Sequence, residues 1–224
     1  KSAKRIRLML FRSIPTILCC LIAPSVAVAD IEVSLYIGNQ SAPPSDIVIA
    51  GDSAIPDLSF EQTWEGQSFQ WPIYAGFRVT NWKTSEFGFG LDYAHNKVRP
   101  SNSELQPGFA ALEFTDGLNT WTINGYRRWQ NAIGKATPYV GAGVGISAPG
   151  VEVRYQGSET FEYQITGLAA TWLAGVTFPV NEEWSVFGEY KGTFTSNDVE
   201  LEGGGSLTSD IFTNALNVGV SFSF

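Results

Sequence analysis

The chain holds one histidine, His95, and the residues after it include Lys97, Arg99, Glu104, Glu113 and Asp116. An imidazole near carboxylates can do two kinds of chemistry. His95 can take a proton from a hydroxyl with Glu113 and Asp116 as acidic partners, or His95 and Asp116 can hold a divalent ion. Against this stands a plainer possibility, an interfacial histidine with no chemical task beside acids that only solvate a loop. Other chemistries lack their residues. There is no spaced histidine pair for zinc, no G-x-S-x-G elbow and no Walker loop. "GAGVG" at residues 141–145 follows no βαβ unit, so it reads as the small face of a strand packing against large neighbours and not as a nucleotide loop. No nucleotide cofactor is expected.

The elements that position His95 are strands. The chain ends "NALNVGVSFSF", with Leu216, Val218, Val220, Phe222 and Phe224 apolar at every second position and small or polar residues between them. Strict alternation marks a strand with two unlike faces. Seven further runs share the pattern, at residues 31–38, 69–79, 86–95, 119–129, 137–147, 161–178 and 183–195. In the second run Phe69, Trp71, Ile73, Ala75, Phe77 and Val79 share one side. The links alternate in length. "TNWKTS", "NAIGKA" and "VNEE" are short, whereas roughly 28, 20 and about a dozen residues fill the others. Short turns at one rim and long loops at the other form the pattern of an outer-membrane barrel.

We therefore expect an all-β fold: an eight-stranded antiparallel transmembrane up-and-down β-barrel. A closed barrel pairs every backbone group between strands, which is how a sheet crosses hydrocarbon. Trp71, Trp82, Trp121, Trp129, Trp172 and Trp184 fall near strand ends, where aromatic girdles belong. The opposite faces carry Glu32, Arg78, Glu86, Asp92, Arg128, Glu189 and Lys191, which can pair inside a narrow lumen. Eight strands leave room for side chains and little else, so no continuous pore is expected. Of the adjacent Arg127 and Arg128, the outward one suits a phosphate and the inward one an acid. By alternation His95 lies on the lipid side with Tyr93, at the loop-side end of its strand and level with the outer leaflet's sugar headgroups. A soluble barrel is the competing reading, and the terminal strand argues against it.

The start of the chain reads as a leader. Lys1, Lys4, Arg5, Arg7 and Arg12 precede the short apolar run "IPTILCCLIA", and "AVA" supplies small residues before Asp30. The division is thus 1–29 signal peptide and 30–224 barrel domain. The leader holds both cysteines, five of the 14 basic residues and none of the 22 acidic ones, which leaves nine basic residues against 22 acidic and a net charge of −13. Disulfides, thiolate chemistry and nucleic-acid binding are not expected of such a chain. The terminal aromatic strand resembles the signal by which the outer-membrane assembly machinery takes up its substrates, so that machinery is an expected partner.

At the level of the whole mature chain, the sequence resembles the barrels related to the OmpA transmembrane domain. More narrowly, "FGFGLDYAHNKV" (residues 87–98) and "LEFTDGLNTWTINGYRRW" (residues 112–129) resemble the outer-membrane lipid A oxidase of rhizobia. That resemblance implies oxidation of the proximal glucosamine of lipid A to an aminogluconate, with molecular oxygen as co-substrate, hydrogen peroxide as by-product and lipopolysaccharide as partner. It carries over no catalytic motif, so His95, Glu113 and Asp116 are candidates by position. Oxygen reacts slowly with spin-paired side chains, so a divalent metal on His95 and Asp116 is the simplest supplement. Lipid A deacylases use a His and a Ser two apart, but Lys97 follows His95 at that spacing. The alternative class is a non-catalytic OmpA-like surface barrel serving envelope stability, adhesion or binding.

Overall fold

The computed structural model describes residues 30–100, 105–114 and 117–224. The expected leader lies outside the described residues, as do Glu104 and Asp116. Among the described residues there is no helix. Thirteen strands form: β1 (Asp30–Ser41), β2 (Ser45–Ala50), β3 (Leu58–Gln62), β4 (Ala75–Trp82), β5 (Phe87–His95), β6 (Phe109–Glu113), β7 (Thr120–Arg128), β8 (Thr137–Ser147), β9 (Gly150–Tyr155), β10 (Ser158–Tyr163), β11 (Gly167–Pro179), β12 (Trp184–Glu200) and β13 (Ser206–Ser223). Eight of them run β1-β4-β5-β7-β8-β11-β12-β13, all antiparallel, and β1 pairs with β13 to close the ring. The fold is the expected eight-stranded barrel.

Outward positions carry Leu35, Phe89, Ile123, Val144, Leu216 and Val218, all exposed. Inward positions are small or polar: Ser34, Thr80, Thr122, Thr171, Thr193 and Asn217 are buried. The glycine face of β8 does what the sequence implied. Gly141 stands against the ring of Tyr126, where a β-carbon would collide.

Above the ring the long loops fold into a cap. β2 continues the sheet by pairing with the top of β13, and β3 follows β2. A second sheet runs β10-β9-β6. Ile47, Ile49, Trp64, Leu112, Val153, Val199, Leu207 and Ile211 meet in a buried apolar core between these pieces.

Three expectations about the strands need correction. The second barrel strand starts at Ala75; Phe69, Trp71 and Ile73 lie in a loop, where Pro72 has no N–H for a ladder and Tyr74 N–H turns back to the Ser68 carbonyl at 2.8 Å. The sixth run splits into β10 in the cap and β11 in the barrel, with residues 164–166 turning between them. The seventh and eighth strands do not end near Thr195 and Asn214. They stay paired from Trp184↔Phe222 up to Glu200↔Ser206, so their link is a short turn and not a loop of a dozen residues.

Candidate functional site

His95 is the last residue of β5, in register with Ala75 of β4, and takes the same alternate positions as Phe87, Phe89 and Leu91. Its ring is held from the far side of the loop. Asn119 adopts a left-handed φ of 44° just before β7. From there its Oδ1 accepts the Tyr93 hydroxyl at 2.8 Å and lies 2.9 Å from His95 Nδ1. An amide oxygen only accepts, so Nδ1 carries the proton and Nε2 is the basic nitrogen. Gly117, with φ 74°, lies against the imidazole, and a side chain there would strike the ring and the Asn96 carbonyl. Asn96 ties the same turn by receiving Leu118 N–H at 2.7 Å and by donating to Thr120 Oγ1 at 2.9 Å. Phe77 and Trp121 flank the cluster, with the Tyr93 and Trp121 rings 4.7 Å apart.

Glu113 makes its contacts in the cap. Glu113 ends β6 in the cap and is paired with Arg99, whose Nη2 donates to Oε1 at 3.0 Å and whose Nε lies 2.5 Å from Oε2. That ion pair engages Glu113 away from the cluster. Asp116 lies outside the described residues, so the described partners of His95 are Asn119 and its neighbours. No three His, Cys, Asp or Glu side chains converge among the described residues. The expected metal pair of His95 and Asp116 includes a residue outside the described ones. Asn119, Tyr93 and Gly117 went unnoticed as site residues. For Gly117 and Asn119 the signal was "GLN" at residues 117–119, a glycine and an asparagine two apart, both in left-handed backbone.

Lys97 points the other way, into the protein. Its Nζ donates to the carbonyls of Gln67 at 3.2 Å and Gln70 at 2.7 Å, and its backbone is bonded by the Gln40 side chain. Burial, with Arg99 nearby, holds its amine below the ordinary lysine range.

In the lumen four of the seven expected charges form one network. Arg78 donates to Asp92 Oδ2 at 2.8 Å and to both Glu189 oxygens at 3.1 and 2.9 Å. Lys191 pairs with Asp92 and donates to Tyr36 Oη at 2.7 Å; Tyr139 donates to Glu189 at 2.7 Å. All four charged groups are buried. Below the network a cavity of about 370 Å³ reaches the short-turn rim, lined by Glu32, Thr80, Trp82, Tyr126 and Arg128 among others. At that rim Arg128 turns inward over Trp82, 3.8 Å from the ring centre, with Asp30 3.8 Å away. Arg127 lies 3.8 Å from Glu86. Glu86, expected on the lumen face, is instead exposed in the turn before β5.

The outer membrane protein beta-barrel domain family matches residues 17–224. The chain belongs to that family. It is an integral protein of the Gram-negative outer membrane, with its outward apolar faces in lipid. Among solved structures this outer-membrane barrel is similar to Neisserial surface protein A, at 12% identity and TM-score 0.46, covering 87% of this chain and 97% of that one. It is similar to OprG from Pseudomonas aeruginosa, at 13% and 0.47, covering 88% and 96%. It is also similar to Ail, the attachment invasion locus protein of Yersinia pestis, at 10% and 0.41, covering 88% and 99%. At such identities the likeness is one of fold. No curated protein matches the chain.

Proposed function

We propose that this outer-membrane barrel acts on the lipid around its outer rim, by the reaction the rhizobial resemblance implies. Lipid A is the substrate, its proximal glucosamine is oxidised to an aminogluconate, and molecular oxygen is the oxidant. The observation that carries this reading is the Tyr93–His95–Asn119 cluster, hydrogen-bonded at the upper end of β5 and flanked by aromatic rings. At that height the basic nitrogen of the imidazole is Nε2, which takes a proton from a headgroup hydroxyl once the groups covering it move aside. Electron transfer to oxygen needs a further carrier, and a divalent ion on His95 and Asp116 is the proposal that chelation tests. The exposed Phe224 and the apolar outer face of β13 support recognition by the assembly machinery.

The test is mass spectrometry of lipid A after incubation with membranes holding the protein, with and without oxygen and with and without chelator. The expected product is an oxygen-dependent gain of one oxygen atom on the proximal sugar, lost in His95→Ala. Unchanged lipid A from membranes whose barrel is folded overturns the enzymatic reading.

A second reading is a non-catalytic surface barrel. It is favoured by the pairing of Glu113 with Arg99, by a His95 Nε2 that is covered from solvent, and by a cap with its own apolar core.

A further inference from the structure

Some of the most exposed apolar side chains lie above the ends of the barrel strands, in two places. Phe69 and Trp71, 69% and 86% exposed, stand in the loop before β4. Phe161, Tyr163 and Ile165, 65%, 66% and 71% exposed, run along β10 into the turn before β11. Both segments are braced. Lys97 clamps the first through the Gln67 and Gln70 carbonyls, and Ser68 Oγ accepts the Gln40 N–H at 2.7 Å. The second is tied to β12: Gln164 bonds the N–H and carbonyl of Glu200 at 2.9 and 2.8 Å, and Asp198 N–H reaches the Thr166 carbonyl at 2.8 Å. Fixed loops therefore hold these side chains out.

Each segment continues the lipid-facing band below it. Trp71 comes shortly before Ala75, beside which Phe77 and Tyr93 form the band's upper edge. Ile165 comes shortly before Leu168, which pairs with the outward Ile146. In the ring, β4 and β11 stand on opposite sides. A docking protein or a second copy of the chain would meet one side. The neighbour that touches both sides is the lipid leaflet that surrounds the barrel. We infer that the cap stands on the membrane through two apolar feet, the 69–71 loop and the 161–165 segment, whose aromatic rings are embedded in the headgroup and upper acyl region of the outer leaflet. Aromatic side chains with a polar tip suit that depth. This holds whether or not His95 does chemistry.

The test uses single cysteines in the full chain with Cys19 and Cys20 replaced by serine: Trp71→Cys, Phe161→Cys, Ser53→Cys on the cap and Leu216→Cys in the band. Each is labelled with an environment-sensitive fluorophore in phosphatidylcholine vesicles carrying doxyl-labelled chains. Labels at 71 and 161 are expected to be quenched by the doxyl lipid and spared by aqueous iodide, as at 216, whereas the label at 53 shows the reverse. Iodide quenching without lipid quenching at either foot overturns the inference. So does shielding from both quenchers that grows with protein concentration, which would assign the patch to a second copy. Unchanged heat-modifiable gel mobility shows that each variant is folded.

Discussion

The barrel and the cap share two strands, β12 and β13, yet have opposite interiors. Along the lower part of β13, Leu216, Val218 and Val220 point outward, while Thr213, Asn217 and Ser221 point inward and are buried. Along its upper part the outward residues are Thr208 and Asp210, and the buried inward ones include Leu207 and Ile211. β12 makes the same change, from inward Glu189 and Lys191 to inward Val199. The alternation never slips; only the chemistry of the two faces is exchanged. The reason is the solvent outside. Where lipid surrounds the sheet, polar groups have nowhere to go but the lumen, and there they must be fully paired. Where water surrounds it, burial of apolar side chains drives the packing. The level of Phe212 on β13 and of Phe194 on β12, whose rings lie 4.8 Å apart, marks the crossing.

The sharpest way to break the polar interior is to remove its central cation. Arg78→Ala leaves Asp92 and Glu189 buried with one counter-charge, Lys191, between them. We expect a loss of about 3–5 kcal/mol of barrel stability, the range for breaking a buried ion pair. It is read as a lower urea midpoint for the heat-modifiable form in micelles. A midpoint within error of the parent would show that the network is not what fills the lumen.

The apolar interior should fail more locally. Ile49→Ala empties a fully buried position in the cap core, and the cost of such truncations is about 2–4 kcal/mol. The expected sign is new protease cleavage in the segments of β2, β3 and β9, with the transmembrane strands still heat-modifiable. Cleavage and barrel unfolding that appear together would mean that cap and barrel fold as one unit.

A smaller effect comes from Asp52, which joins the loop after β2 to the turn of residues 201–205. Partial burial pushes its carboxyl up. The N–H groups of Ala54 and Ile55, donating to Oδ1 at 2.8 and 2.9 Å, and those of Gly205 and Gly203 outweigh that and hold it below the ordinary aspartate value. A carboxyl depressed on folding stabilises at pH above its unfolded value and loses that contribution as pH falls through the folded one. The cap is therefore expected to gain protease sensitivity as pH falls below the ordinary aspartate range, and Asp52→Asn should show that sensitivity at neutral pH with little further change. A cap in Asp52→Asn that is as resistant as the parent at neutral pH would remove Asp52 from the joint.

The same exchange of faces explains what could be read in the sequence. Following one apolar face finds the eight barrel strands, since that face is continuous through the membrane. It ends the seventh run at Thr195 and starts the eighth at Asn214, where the apolar set crosses to the other side although the strands continue. β2, β3, β6 and β9 were missed for a related reason. They are only five or six residues long, so local alternation carries little signal. The charged lumen was legible because Arg78, Asp92, Glu189 and Lys191 share the inward parity. The pairing of Glu113 with Arg99 was not, since it depends on the bridge between Glu65 and Arg99 that folds the loop.

The finest contrast is at the seam itself, where His95 belongs to neither interior. Its tautomer tests whether the seam is built as described. His95 is the single histidine, so a protein labelled with nitrogen-15 histidine has one imidazole to observe. With Asn119 Oδ1 accepting from Nδ1, the shifts should report a protonated Nδ1 and a bare Nε2. In Asn119→Ala the acceptor is gone, and the Nε2–H form should appear at a cost to stability of about 1 kcal/mol, the scale of one hydrogen bond. An Nε2–H imidazole in the unmodified protein would mean that Asn119 turns its amide nitrogen to the ring and that Tyr93 accepts. The basic nitrogen would then be Nδ1, hydrogen-bonded to Asn119, and His95 could take no proton from a sugar while that bond lasts.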